Sequence, residues 1–228
     1  MQCWICGAEA STREHIVKAS DLREEFGLVT QSAPIYYTDS SVRNRKVGSV
    51  NSDRLKYSAK ICEECNSSRT QQHDLAWQTL SKSLRERDPP IRAGTIVKLE
   101  KIFPGTTKQS MLGVHLFFIK HFGCLIAEHS VRINLIPLSD AVLTNKPHPH
   151  IYLAFWCNRS GHTRKHVGRT PIHAVDRGNV TEFANWFYFV GAIGVNVIYA
   201  PPPHRSRHLG YVWHPSFPTK RLRITDEA

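Results

Sequence analysis

Acidic residues are scarce in this chain of 228 residues: 19 aspartates and glutamates stand against 30 lysines and arginines, a net charge of +11. We also expect no secretory leader, since Gln2 and Cys3 follow Met1 at once, and no apolar run long enough to span a bilayer. Residues 186–200 come nearest, but the stretch is short and contains Asn196. These absences favour a reduced, cytoplasmic protein without a membrane partner, in which paired cysteines more often hold metal than form disulfides.

The basic excess suits a polyanionic partner, because contacts from Lys and Arg to phosphates supply most of the non-specific affinity for nucleic acid. A solvated basic surface with no partner explains the same charge equally well. Hydrophobic residues make up 41% of the chain, so a packed core is feasible and wholesale disorder is excluded.

The pattern of apolar residues predicts an α+β fold in two domains that meet at Pro89-Pro90. In the first, residues 1–88, the predicted elements are a helix after His15, a long surface loop over residues 30–55, a strand over residues 56–61, and one helix from Glu63 to about Arg87. The second, residues 91–228, is predicted to be a mixed α+β accessory domain that serves in substrate recognition.

Within this accessory domain, residues 110–127 predict a helix with one apolar face. Several other segments are rich in β-branched and aromatic residues, as strands are: residues 94–103, 150–157, 170–176, 186–199 and 210–214. Cys124 and Cys157 stand in apolar surroundings and are predicted to be buried, inert thiols.

Two Cys-x-x-Cys pairs, Cys3/Cys6 and Cys62/Cys65, are the strongest signal in the chain. Each pair gives two thiolates from one tight turn, and four thiolates complete the tetrahedral site that zinc prefers. The 55 residues between the pairs exceed the usual spacing of zinc ribbons, and free thiols or a redox dithiol are the alternatives. We predict one structural zinc, which would draw the residues beside the two pairs onto one platform.

The residues beside the two cysteine pairs resemble those of a known protein family. The order Cys3-x-x-Cys6-Gly7, then Thr12-Arg13-Glu14-His15-Ile16, then Cys62-x-x-Cys65-Asn66 resembles the zinc-stapled members of the HNH endonuclease family. The resemblance covers about residues 1–85 and implies a β-hairpin followed by a helix, the ββα-metal or His-Me finger. It implies that His15 is the general base and that Glu14 and Asn66 hold a catalytic Mg²⁺ or Mn²⁺.

The residue types suit these roles. A neutral imidazole with a pKa near ~6.5 activates water well near neutral pH. A carboxylate and an amide carbonyl are hard oxygen ligands of the kind that Mg²⁺ prefers. Because adjacent residues of a strand point to opposite faces, Glu14 and His15 can serve the same cation only if the chain bends there or if His15 acts through a water. The resemblance implies a strand end with a bend.

Further candidates lie around this set. His73 follows Asn66 by two turns of the predicted helix and could be a third metal ligand or a phosphate contact, against the alternative of a surface histidine. Arg69 on the same face is a candidate phosphate contact, against a solvated arginine. We also predict nucleic-acid contacts from a basic cluster in the surface loop, and a base-orienting role for Asn51, with Asn44 as a weaker option. The cluster consists of Arg43, Arg45 and Lys46.

The leading hypothesis is therefore a metal-dependent DNA endonuclease. A non-catalytic, zinc-dependent nucleic-acid-binding protein and a protein-interaction module that uses zinc only to fold are the competing hypotheses. The oligomeric state stays open, a homodimer included.

Overall fold

The computed structural model describes residues 1–204 and 206–226, and they form a mixed α+β fold, as predicted. Within these residues the helices are α1 (Ala19–Phe26), α2 (Glu63–Asn66), α3 (Gln71–Arg85), α4 (Leu99–Ile102), α5 (Thr107–His129) and α6 (Ile136–Thr144). The strands are β1 (Thr12–His15), β2 (Ile35–Tyr37), β3 (Arg45–Val47), β4 (Lys56–Ile61), β5 (Ile96–Lys98), β6 (Ile151–Cys157), β7 (Val167–Arg169), β8 (His173–Arg177), β9 (Val180–Val190), β10 (Ile193–Tyr199) and β11 (Arg221–Thr225).

A seven-stranded sheet occupies the second half of the described chain. Its order is β5-β11-β6-β10-β9-β7, and β8 also pairs with β9. The pairings are antiparallel except for that of β11 with β6. Buried residues alternate along most of β9, as expected for a strand with one face against the core.

The helix α5 lies at the centre of the core. Every residue from Gly113 to Ile126 is buried, so the helix is enclosed on all sides rather than on the single predicted face. Phe117 and Phe118 each contact both Trp77 of α3 and Tyr188 of β9, and the Trp77 and Tyr188 rings also contact each other. α5 therefore meets α3 and the sheet in one shared aromatic cluster.

The expectation about membrane-spanning segments was wrong in one respect. By length and composition α5 could cross a bilayer, but 83% of its apolar window is buried inside the protein, which is typical of a core helix. Residues 186–200, the nearest candidate from the sequence, form the end of β9 and the strand β10 instead. The apolar character of both segments is therefore explained by burial in the fold.

The predicted domain boundary at Pro89-Pro90 falls between α3 and β5, and the hydrophobic core continues across it. Leu80 and Leu84, which precede the boundary, belong to the same cluster of buried residues as Val97 and Trp186, which follow it. Asp21 adds a polar link, since its buried carboxylate accepts hydrogen bonds from Trp77 Nε1 (2.8 Å) and the Tyr188 hydroxyl (2.7 Å). The first 88 residues and the sheet therefore share their interior.

The single helix predicted from Glu63 to Arg87 was wrong, because the chain forms α2 and α3 with a turn at residues 67–70 between them. In a continuous helix the Cys65 carbonyl would accept the Arg69 N–H, but that N–H donates to the Glu64 carbonyl instead (2.9 Å). The Cys65 carbonyl accepts the Thr70 hydroxyl (2.9 Å). Short hydroxyl side chains compete with helical hydrogen bonds in this way.

Two of the predicted strands also need correction. Residues 94–103 contain only a short strand, β5, which runs directly into α4. Residues 210–214 contribute an isolated bridge between Trp213 and Leu153 rather than a strand. The remaining predicted segments overlap β6, β8, β9 and β10.

A cluster of buried histidines makes the stability of the fold dependent on pH. Burial lowers the pKa of His115, His148 and His214, and lowers that of His148 to about 4. The three are in mutual contact: the His148 backbone N–H donates to His115 Nε2 at 3.2 Å, and His214 Nε2 lies 2.9 Å from the His148 carbonyl oxygen. They are therefore neutral in the fold and become charged only at the expense of stability.

We expect the free energy of unfolding to fall by about 2 kcal/mol between pH 7 and pH 5 from His148 alone, because the unfolded chain takes up the proton first. The stabilisation is complete above pH 6.5, the unfolded pKa, and is lost progressively as the pH falls toward 4. Urea unfolding at the two pH values measures it. His148→Asn keeps an acceptor for the His150 N–H and should show a shallower pH dependence; an unchanged slope in that variant would contradict the assignment.

Candidate functional site

The four paired cysteines meet, although 55 residues separate the pairs. Their sulfur atoms all lie within 4.8 Å of one another, and Cys6 Sγ is 3.5 Å from Cys62 Sγ. Zinc–sulfur bonds of about 2.3 Å in a tetrahedron put sulfur atoms roughly 3.8 Å apart, so the cluster fits a zinc ion. The prediction that the four cysteines lie together and could bind one metal ion is confirmed, and zinc as that ion stays a prediction.

Local backbone geometry forms each half of the cluster. Gly7 has a φ of +77° and its N–H donates to the Cys3 carbonyl (2.8 Å), which closes the first turn. Cys62 caps α2, with its sulfur accepting from the Cys65 N–H. Burial raises the pKa of Cys6, but hydrogen bonds from the Ala8 N–H and the other cysteines outweigh it and lower the pKa to about 7. A bound cation would favour the thiolate form at all four positions.

Arg69 lies against this cluster rather than in open solvent. Its Nη1 donates to Cys65 Sγ at 3.4 Å, and its Nη2 is 2.6 Å from Glu64 Oε1. Because both ends of the guanidinium are engaged, the side chain supports a cysteine ligand in this arrangement. Its predicted phosphate contact stays a prediction.

The strand that carries Glu14 and His15 pairs with the strand that leads into Cys62. β1 and β4 are antiparallel, and their register shifts between Arg13 and His15. The bend that the resemblance implies at Glu14 is therefore present. Glu14 Oε1 also accepts the His15 backbone N–H at 2.8 Å, which fixes the carboxylate close to the following residue.

The His15 imidazole has a defined tautomer when it is neutral. Its Nε2 lies 3.1 Å from the Val50 carbonyl oxygen, and a carbonyl can only accept, so Nε2 carries the hydrogen and Nδ1 is left with a free lone pair. Burial lowers the pKa of His15, with the charges of Lys56 and Arg23 acting in the same direction. The arrangement favours a neutral imidazole that can accept a proton at Nδ1.

The residue that orients His15 is thus Val50, directly before the predicted Asn51. Asn51 is exposed, and its backbone N–H donates to Ser49 Oγ. Asn44, the weaker option, is also exposed and has a φ of +52°. Every residue has a backbone carbonyl, so the residue type does not reveal which carbonyl forms a hydrogen bond. The sequence therefore indicated the segment around Asn51 but not the Val50 carbonyl.

Glu14 has a partner that the sequence argument missed. Lys120 of α5 is fully buried, and its Nζ lies 2.6 Å from Glu14 Oε2 and 3.0 Å from Asp74 Oδ1. Burial disfavours the ammonium, but the attraction of the two carboxylates outweighs it and raises the pKa of Lys120. A lysine in the middle of the apolar part of α5 is the signal that could have pointed to it, because buried lysines are almost always paired.

Asn66 and His73 occupy different surroundings. The Asn66 amide nitrogen donates to Thr12 Oγ1 (3.1 Å) and to the Arg13 carbonyl (3.4 Å), so Asn66 contacts β1 directly before Glu14. His73 is buried on α3, and its Nε2 is 3.3 Å from Asn145 Oδ1 at the end of α6. Because the turn at residues 67–70 separates α2 from α3, the predicted common helix face of Asn66 and His73 does not exist.

The basic cluster at residues 43–46 lies on the surface. Arg45 and Lys46 belong to β3, which pairs with β2, and both are exposed, as is Arg43. The position suits a contact with a large ligand, and the predicted nucleic-acid binding stays a prediction.

No family model, curated protein or solved structure matches the chain.

Proposed function

We propose that the chain is a metal-dependent, HNH-type endonuclease that hydrolyses phosphodiester bonds in DNA. The observation that carries the proposal is the contact of Asn66 with β1. It brings the residue after the last cysteine to the strand that ends in Glu14 and His15. The cysteine cluster, the antiparallel β1–β4 pair and α2 surround this contact in the order that the family resemblance implies.

In this proposal His15 is the general base. With Nε2 bonded to the Val50 carbonyl, the proton from an attacking water is taken up at Nδ1. Its lowered pKa keeps the imidazole neutral near pH 7, which is the form that a base requires.

Glu14 and Asn66 are the proposed cation-binding residues. Glu14 keeps free lone pairs on both carboxylate oxygens beside its two hydrogen-bonding partners, and the Asn66 contacts described above involve its amide nitrogen, not its carbonyl oxygen. Carboxylate and carbonyl oxygens suit Mg²⁺ or Mn²⁺. Such a cation, when bound, stabilises the charge that develops at the phosphate and on the leaving oxygen. The net charge of +11 supports a polyanionic substrate.

Replacing His15 with alanine is expected to lower the cleavage rate about 100- to 10,000-fold, because proton transfer by a positioned side chain contributes a factor of this order. Supercoiled plasmid, single-stranded circular DNA and RNA are incubated with the protein in Mg²⁺ or Mn²⁺, and the product is quantified over time. His173→Ala is the matched control, since His173 is exposed on β8, and should cleave like the wild type. Equal rates in the two variants would refute His15 as the base.

One observation favours a second candidate, a zinc-dependent nucleic-acid-binding protein without catalysis. The Lys120 ammonium already neutralises Glu14, which weakens the attraction of that carboxylate for a divalent cation. Salt-sensitive binding to DNA without cleavage in any divalent metal would favour this candidate over the nuclease.

A further inference from the structure

A cavity of about 770 Å³ lies between α1, β2, β4 and β7. Its volume falls within the roughly 300–1,000 Å³ that is typical of small-ligand sites. Apolar side chains contribute to its lining, among them Leu22, Phe26 and Ile35. Among the described residues, the cavity lining does not include Glu14, His15 or Asn66. The cavity is therefore separate from the proposed catalytic residues.

The rim of the cavity is cationic. Arg13, Arg54, Lys56 and Arg169 line it, and the acidic residues among them are already paired. Asp53 binds Arg13 and lies 3.6 Å from Lys56 Nζ. Glu128 accepts from Ser58 and lies 3.6 Å from Arg169, while Asp39 caps the backbone N–H groups of a turn. Arg54 has no carboxylate partner among residues 1–204 and 206–226, so one cation remains available to an anionic ligand.

Two tyrosines stand at the same opening. Tyr36 is 67% exposed and Tyr37 is half-buried, and both line the cavity. On the β2–β3 pair, Tyr36 is opposite Lys46 and Tyr37 is opposite Arg45. Residues directly opposite on antiparallel strands place their side chains on the same face. Because adjacent residues of a strand point to opposite faces, Tyr36 and Lys46 share one face of the pair and Tyr37 and Arg45 share the other. Tyr36 therefore presents an exposed ring beside a basic side chain, the combination that binds single-stranded nucleic acid through base stacking and phosphate contacts.

The cavity adjoins His15 through the β1–β4 pair. Lys56, on its rim, is the cross-strand partner of His15. Arg13, also on the rim, precedes His15 by two residues, roughly 7 Å along an extended strand. A polynucleotide that passes His15 thus reaches the cavity within a short distance.

We infer that this cavity receives one unpaired nucleotide of the substrate strand, with its base against Tyr36 and its phosphate near Arg54. The inference rests on the proposed nuclease function and names its substrate class, a nucleic acid with an unstacked nucleotide next to the cleaved bond. A base within a duplex cannot be bound this way, because its faces are covered by its stacked neighbours.

The test measures binding without cleavage. In the His15→Ala background and in Ca²⁺, fluorescence anisotropy compares a labelled single-stranded oligonucleotide with the fully paired duplex of the same sequence. Tyr36→Ala is the test variant, because its side chain is mostly exposed and its removal leaves the core intact. Tyr211→Ala is the control, since Tyr211 is 59% exposed and lies outside the cavity.

We expect Tyr36→Ala to weaken single-strand binding roughly 5- to 100-fold and to change duplex binding by less than about twofold, as loss of one stacked base predicts. Tyr211→Ala should leave both affinities unchanged. The inference is overturned if the two variants bind the single strand alike, or if Tyr36→Ala weakens both ligands equally. If single-strand preference depends on Tyr36 but the wild type cleaves nothing, the nuclease proposal is rejected and the nucleotide-binding role of the cavity stands. If cleavage depends on His15 but Tyr36→Ala has no effect on binding, the nuclease proposal stands and the role of the cavity is rejected.

Discussion

Cys65→Ser is expected to abolish stoichiometric zinc binding and to release residues 1–11 from the rest of the fold. Zinc in a site of this kind contributes apparent binding free energies of about 10–16 kcal/mol at pH 7, comparable to the whole stability of a typical domain. The other contacts of residues 1–11 include the burial of Ile5, the bond from Ser139 Oγ to the Ile5 carbonyl and the packing of Trp4 over Gly123 of α5. Loss of the metal therefore releases a segment that covers the central helix.

Metal content and thermal unfolding measure the effect. The wild type should carry one zinc per chain, and the variant should carry essentially none and melt at a much lower temperature. Cys124→Ala is the matched control, because Cys124 is also a buried free thiol but lies outside the cluster. It should keep its zinc and lose only about 1 kcal/mol of stability. A wild type without bound metal, or equal behaviour of the two variants, would contradict the structural role.

Lys120→Met is expected to destabilise the protein by about 3–5 kcal/mol, because removing one partner of a buried ion pair leaves the other charges uncompensated. Here the uncompensated groups are Glu14 and Asp74, whose side chains are only 11% and 18% exposed. The hydrogen bond from Lys120 to Thr70, at 3.2 Å, is lost as well. The methionine itself fits an apolar helix, so the effect reports on charge rather than on volume.

Urea unfolding compares this variant with Lys108→Met. Lys108 is on the same helix but exposed, and its replacement should change stability by no more than about 0.5 kcal/mol. Adding Asp74→Asn to Lys120→Met should recover part of the loss, because it removes one of the two unpaired charges. If Lys120→Met were as mild as Lys108→Met, the ion pair would not be the stabilising contact that its burial indicates.

The parts of the site that the sequence predicted are those set by short spacing and specific chemistry. The two cysteine pairs and the strand before Cys62 follow from residue types within a few positions of one another, and the bend at Glu14 was implied by the family resemblance. Burial of Cys124 and Cys157 was also predicted correctly from their apolar neighbours. In most of these cases the deciding interaction is local, and the meeting of the two cysteine pairs is suited to a metal ion that four thiolates could share.

The parts that the sequence did not predict depend on contacts between distant residues or on backbone groups. Lys120 meets Glu14 from 106 positions away, and the carbonyl that orients His15 belongs to a valine. The helix break after Asn66 was missed because apolar spacing continues through it, while the bond from the Thr70 hydroxyl to the Cys65 carbonyl forms only in the folded turn. The spacing of residue types along the sequence carries little information about contacts between distant residues or about hydrogen bonds to backbone groups.

The enclosure of α5 limits how freely the amino-terminal third of this protein can be exchanged. A graft of residues 1–88 into another scaffold would arrive without the ammonium that neutralises Glu14 and Asp74, and with the apolar side of Trp77 bare. A recipient would need a helix with a lysine placed to reach Glu14 and Asp74, as Lys120 is here. That helix would also need aromatic residues at the positions of Phe117 and Phe118, three and two residues before the lysine. Inheritance of residues 1–88 without that helix is therefore disfavoured, and the two parts of the chain are expected to change together.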